Sequence, residues 1–263
     1  MVNLAINGIC GKMGKRILRL SKQDEQIKIV VGFEQKNHPK IGEKIDAVEV
    51  FADYNRIQQC DTIIDFSAPE ATLAMLKKAK DSKKSIVIGT TNLDKKQEAE
   101  IKEISKDIPV VYSPNMSIGV NLFFKILKTA ASVLKEYRVA IKEAHHIHKK
   151  DAPSGTAKKL AEIINEFGFD LGYGQIKAKR KGEIIGDHQV TFENDFDSFK
   201  IVHHAKTRDI FAQGAIIAAK WIKGKSAGLY SMEDVLFSPK SKVQSLNYDM
   251  QNTVYKNKRR EDV

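Results

Sequence analysis

The chain has 263 residues, 42% of them hydrophobic, enough for a sizeable core and for one or two domains. With only Cys10 and Cys60 a disulfide-built scaffold is excluded, and no apolar run approaches the roughly 20 residues of a membrane helix. The formal net charge of +11 raises the question of nucleic acid, but the lysines are spread in pairs such as Lys77 with Lys78 and Lys158 with Lys159. Such pairs suit solvated helix faces, so neither nucleic acid nor membrane is expected as a partner.

The opening MVNLAINGIC has no basic stretch before its apolar run and meets Gly8 at once, so it reads as a first strand rather than a leader peptide. Further strands are predicted at 27–33, 62–65, 86–88 and 110–112, each separated from the next by a helix-like segment. Met13, Ile17 and Leu20 repeat at helical spacing. Ser67 and Glu70 have the spacing of a capping box ahead of Leu73 and Leu76, and 93–104 forms another amphipathic helix. This alternation predicts an α/β fold with a doubly wound, mostly parallel sheet.

From about Ile118 the pattern changes. A long apolar helix over 120–134 leads to a strand over 139–143, then a polar loop rich in histidine. A helix begins near Ser154, with Gly168 past its end, and strand-like pieces follow at 189–192 and 200–203. These elements predict a second, α+β domain with an open mixed sheet. A helix over 210–223 then returns to the first domain. The expected division is 1–115, completed by 208–237, then 116–207 as the second domain, and 238–263 as a basic tail.

Gly8, Ile9, Cys10, Gly11, Lys12, Met13 and Gly14 lie between the first strand and the first helix. Glycines there let the backbone approach a pyrophosphate, and the helix N-terminus supplies amide donors. Glu34 ends the second strand about twenty residues later, where an acid bonds the adenosine ribose hydroxyls. Together they predict a Rossmann-like dinucleotide site for NADH, for NADPH, or for both. The acid favours NADH, whereas Lys12 and Lys36 offer partners for a 2′-phosphate. Gly89, Thr90 and Thr91, and then Ser113, Pro114, Asn115 and Met116, fall at carboxyl ends of strands, where such sheets place ligands.

The densest chemistry is EAHHIHKKDAPSGT, residues 143–156. His145, His146 and His148 can move protons near neutral pH, and Lys149 offers a positive charge or a proton. Gly155 and Thr156 enter a helix, where amides and a hydroxyl suit a carboxylate. The three histidines are also potential metal ligands, but the adjacent lysines would repel a cation, so no metal is assigned.

The stretch EAHHIHKKDAPSGTA closely resembles the signature of the dihydrodipicolinate reductase family. NGICGKMG, the Phe33-Glu34 pair, IDFSAPE, IGTT, SPNMSIGVN, GEIIGDH and RDIFAQGAIIAAKW occur in that family's order, up to about Phe237. The resemblance implies NADH- or NADPH-dependent reduction of 4-hydroxy-tetrahydrodipicolinate to tetrahydrodipicolinate, with loss of water, in diaminopimelate and lysine biosynthesis. It implies His145 and Lys149 as catalytic groups, with His146, Gly155 and Thr156 holding the carboxylates of a small dicarboxylate substrate. It implies the residues of the three first-domain loops, with Glu34, as the cofactor site. It also implies a cytoplasmic homotetramer whose second domains pair through their sheets. The stretch after the Ser154 helix, around 168–182, is shorter than usual in the family, and Gln35 stands where some relatives place an arginine.

Overall fold

The computed structural model describes residues 1–238, so the expected basic tail beyond Ser238 lies outside the described residues. The first part folds as β1 (Val2–Asn7), α1 (Lys12–Ser21), β2 (Ile27–Phe33), β3 (Lys44–Ile45), β4 (Val48–Phe51), β5 (Thr62–Asp65), α2 (Pro69–Asp81), β6 (Ser85–Ile88), α3 (Lys95–Ile104) and β7 (Pro109–Tyr112). Every residue of β5 and of β6 is buried, as befits parallel strands covered on both faces. Alternation divides them: Ile64 and Val87 face a core shared with Ile17 and Ala219, whereas Ile63 and Ile86 face one shared with Met75 and Ile101.

The expected capping box of Ser67 and Glu70 does not form. Ala68 takes the N-cap position of α2 without a side-chain bond, and Pro69 enters the first turn with its φ already suited to a helix. The Ser67 hydroxyl is drawn instead to the buried Asp65 carboxylate, at 2.6 Å, where an unbonded charge would cost far more than an uncapped amide.

The second part contributes α4 (Ile118–Val133), β8 (Arg138–His145), α5 (Gly155–Asn165), β9 (Lys177–Arg180), β10 (Gly186–Glu193) and β11 (Ser198–Ala205). The chain returns through α6 (Asp209–Ile222), β12 (Gly228–Tyr230) and α7 (Met232–Phe237). The first sheet runs β12-β7-β6-β5-β1-β2-β4-β3, parallel except for the β3–β4 pair. Its strand order reverses between β1 and β5, which opens a crevice at their carboxyl ends. The second sheet runs β11-β10-β8-β9, with β10 antiparallel to both neighbours and β8 parallel to β9. Phe123, Leu127, Leu160 and Ile164 of α4 and α5 cover it, against Ile141, Val190 and Phe192. The observed class is thus the expected one, a Rossmann-like parallel sheet beside a smaller mixed sheet.

Four short strands, β3, β4, β9 and β12, and α7 are not legible in the sequence. β9 reads KAKR, with no apolar alternation, and is held as an edge by backbone pairing to β8. Asp209 at the start of α6 binds Arg16 and Arg19 of α1, each at 2.6 Å, which fastens the returning helix to the first sheet. Among the described residues no helix is long and apolar enough to cross a membrane.

Candidate active site at the glycine loop and the histidine–lysine loop

The loop after β1 is closed by contacts that exclude side chains. Gly8 has φ +80°, and a Cβ on Gly14 would lie 2.2 Å from the Gly8 carbonyl oxygen. Gly11 is the N-cap of α1, and no side chain caps that first turn. Its amides therefore remain available to an anion, aided by the helix dipole. The Glu34 carboxylate turns back across the loop, accepting from the Cys10 amide at 3.1 Å and the Gln35 amide at 3.0 Å. Burial, and then the Glu34 charge, push the Cys10 thiol above its ordinary range. A glycine cradle that any Cβ would fill, an uncapped helix start and an acid closing β2 fit a dinucleotide.

The neighbouring strand ends are tied together by Asp65, fully buried at the end of β5. Its carboxylate accepts from Asn7 Nδ2 (2.9 Å), Thr72 Oγ1 (3.2 Å), Thr90 Oγ1 (3.0 Å), and both the amide and hydroxyl of Ser67. Burial nonetheless raises its pKa, against the pull of these donors. Thr90 is therefore spent on the frame, whereas Thr91 is exposed. Ile9 and Met116 bury their side chains in the core, leaving only main chain for a ligand. Ser113 Oγ donates to the Asn115 carbonyl at 2.8 Å, shaping the last loop while Pro114 stays exposed. Asn115 Nδ2 then donates to Thr156 Oγ1 at 3.1 Å, joining this loop to the start of α5.

Period-2 alternation along β8 turns Ile141, Glu143 and His145 to the buried face. Register completes the set: His188 of β10 lies opposite Glu143, and Arg180 of β9 lies beside His145. The Glu143 side chain, 0% exposed, binds His145 Nδ1 through a short contact and Arg180 Nη1 at 3.0 Å. Its Oε1 also accepts the Ser154 amide at 3.2 Å. Burial would raise its pKa, yet His145 and Arg180 hold it down at about 2. His188 meets the His145 ring edge-on at 5.2 Å between centroids, and burial pushes its pKa down to about 3. A Cβ on Gly186 would come 3.1 Å from His145 Nε2, so the missing side chain keeps room beside that nitrogen.

Lys149 pairs with Asp151 at 2.8 Å and is one-quarter exposed. His146 Nε2 accepts from Arg208 Nη2 at 3.0 Å, and burial, with the Arg208 charge, lowers its pKa. The three histidines that could be metal ligands do not form one set: His145 turns inward to Glu143 and His188, while the His146 and His148 rings lie tilted to one another, 6.1 Å between centroids. The ligand atoms that do converge near His145 are those of Glu143 and His188, and Arg180 already supplies the positive charge there. Sequence reasoning missed Glu143, Arg180, His188 and Arg208. Glu143 had a signal, an acid in phase with the apolar Val139 and Ile141, and Arg208 had only its place ahead of α6.

The chain as a whole is similar to known proteins. A 4-hydroxy-tetrahydrodipicolinate reductase of Aquifex aeolicus is 41% identical over 264 residues, covering 89% of this chain and 98% of that protein. A reductase of the same name from Pelagibacter ubique is 39% identical over 255 residues, with the same coverage. Among solved structures, a dipicolinate-bound dihydrodipicolinate reductase from Paenisporosarcina sp. TG-14 superposes with a TM-score of 0.77 at 23% identity, covering 90% of this chain and all of the other. A diaminopimelate dehydrogenase of C. glutamicum shares the fold alone, with a TM-score of 0.57 at 12% identity over 94% of this chain and 99% of that one. The model of the dihydrodipicolinate reductase N-terminus matches residues 2–116 and that of its C-terminus residues 119–236, and with nearly the whole described chain so covered, it belongs to the dihydrodipicolinate reductase family.

Proposed function

We propose that His145 is the proton donor and Lys149 the second catalytic group of an NAD(P)H-dependent oxidoreductase that converts 4-hydroxy-tetrahydrodipicolinate to tetrahydrodipicolinate with loss of water. The activity is that of the family, and it serves lysine and diaminopimelate biosynthesis. The residue roles rest on one observation above the rest: the amino end of α5 meets the Ser113–Met116 loop through Asn115 and Thr156, at 3.1 Å. In this reading the contact brings the helix start that would hold a carboxylate against a loop that would line the cofactor.

A nicotinamide cofactor held there would supply the hydride for C4 of the substrate ring. The chain's part is to bind, orient and protonate. Gly8 to Met13 with Gly14 would cradle the pyrophosphate, and Glu34 would bond the ribose. Gly89 to Thr91 and Ser113 to Met116 would line the nicotinamide end. Gly155 and Thr156, with His146, would hold the substrate carboxylates. Arg208, bonded to His146 at 3.0 Å, adds a fixed cation suited to the same groups. As charge develops on the ring, the Lys149 ammonium would stabilise it, exchanging Asp151 for the substrate. His145 would then give up its proton.

Residues 1–115 with 208–237 would form the cofactor unit and 116–207 the substrate unit. The same reading includes a cytoplasmic homotetramer; Val202, 64% exposed on β11, is the kind of surface residue that pairing of the second sheets would cover. The test follows nicotinamide absorbance as the protein meets the condensation product of pyruvate and aspartate semialdehyde, with NADH and NADPH in parallel. Rapid oxidation is expected, reduced about 10²–10⁴-fold in His145→Gln and strongly in Lys149→Ala. If either variant keeps the wild-type rate, that residue's role is wrong.

A further inference from the structure

The face of the second sheet that carries His145 holds a charge pair for which the reaction itself gives no direct use. A carboxylate fully removed from water must be paired, and Glu143 is paired three ways: to His145 Nδ1, to Arg180 at 3.0 Å, and to the Ser154 amide at 3.2 Å. Arg180 in turn reaches past Glu143 into the catalytic loop. Its Nε donates to the Lys149 carbonyl at 3.2 Å, and its Nη2 to the Asp151 carbonyl. These two side chains thus touch the backbone or side chain of His145, Lys149, Asp151 and the first residue before α5.

We propose that Glu143 and Arg180 are positioning residues that act as one unit, Glu143 fixing the tautomer of His145 and Arg180 fixing the loop that carries Lys149. This rests on His145 being the proton donor. The tautomer argument is geometric. A carboxylate at Nδ1 requires the proton there, so the neutral ring keeps its lone pair on Nε2 and the imidazolium carries its transferable proton on Nε2. Nε2 is the nitrogen that faces Gly186, where a Cβ would come within 3.1 Å of it. Without the carboxylate the ring has no reason to favour that tautomer, and the imidazolium loses its counter-charge. A buried acid acting on the far nitrogen of a catalytic histidine is worth orders of magnitude in other enzymes. Arg180 has a second task, since removing it would leave Glu143 buried and uncompensated.

Besides Glu143 and Arg180, the titratable groups set against His145 are His188 on β10, whose ring meets it edge-on, and His146, the next residue in the chain. Among the described residues, Glu143 is the anion in contact with the ring.

The decisive experiment compares Glu143→Gln, Arg180→Met, their double variant and His145→Gln, with ¹⁵N-histidine NMR on the wild type. In Glu143→Gln, kcat should fall at least 10²-fold while NADH binding, read by fluorescence titration, stays within about threefold. Its pH profile should also move, because the anion that meets the ring is gone. Arg180→Met should also lower kcat, Arg180→Lys should restore part of it, and the double variant should be no worse than the poorer single one. In the wild type, the neutral His145 ring should carry its proton on Nδ1. A folded, NADH-binding Glu143→Gln with kcat within twofold and an unmoved pH profile overturns the proposal. So does an Nε2-protonated neutral ring in the wild type, which decides the matter even if the variants fail to fold. Should His145→Gln itself remain active, the failure lies in the proton-donor assignment rather than in the pair.

Discussion

Around the loop after β1, what the protein offers a ligand is largely main chain: uncapped amides at the start of α1, and glycines packed so closely that Gly14 has no room for a Cβ. Around the loop after β8 it is side chains: an acid, an arginine and two histidines brought together on the sheet, with a lysine and two more histidines just beyond. The difference matters for how each can fail. A backbone site depends on the absence of atoms, so it breaks by crowding. A side-chain site depends on which group holds which proton, so it breaks by losing charge or tautomer while the fold survives. Gly186 is where the two kinds meet, an empty Cβ position placed to serve a side chain.

Three changes would sharpen that contrast. Gly14→Ala should have the largest effect. A methyl 2.2 Å from the Gly8 oxygen and 2.6 Å from Ile9 Cα must displace backbone, costing about 1–3 kcal/mol of stability and weakening NADH binding more than tenfold. Calorimetry with and without NADH reads both, and an unchanged dissociation constant would mean the loop is not the phosphate site. Gly186→Ala should do less, because the imidazole can give by a few tenths of an ångström. Here kcat should drop about three- to tenfold with cofactor affinity unchanged, and steady-state kinetics beside a binding titration would separate the two.

The smallest effect concerns pH and stability. His188 titrates at about 3 in the folded protein against an ordinary value of 6.5, because burial disfavours its charged form. Between those values the unfolded chain binds a proton that the native protein does not, so stability should rise with pH across that window. One such group contributes a slope of at most about 1.4 kcal/mol per pH unit. Below the ordinary range of Glu143, whose folded value is about 2, a second loss in the same direction joins it as pH falls. Urea denaturation from pH 7 to 4 should show the slope, and His188→Asn should flatten it. A wild-type curve flat over that range would mean that His188 is charged, or more exposed, in solution.

The fold was legible because its cause is local. Apolar runs such as Thr62 to Asp65 and Ser85 to Ile88, each followed by a helical repeat, can bury both faces only in a parallel sheet covered by helices. The places where local reading failed turn on burial and on pairing in space, which spacing along the chain does not carry. Ser67 has the spacing of a cap but answers to Asp65, and Lys177 to Arg180 has no strand pattern yet pairs with β8. Ile9 and Met116 sit in site motifs and still turn their side chains into the core.

The same division runs through the site. Sequence by itself determined the glycine loop, the place of Glu34 at the end of β2 and the histidine–lysine stretch, because glycine spacing and clustered ionisable residues are written along the chain. It also carried, in the spacing of Val139, Ile141, Glu143 and His145, the information that an acid stands on a buried face. Only tertiary structure decided which of three adjacent histidines meets that acid, since β8 turns His145 inward while its neighbours His146 and His148 lie on the loop beyond. Only register brought Arg180, 37 positions after Glu143, and His188, 45 positions after it, to the same carboxylate. Charge pairing of this kind is a property of distance in space, which strand register sets and which no window along the chain contains.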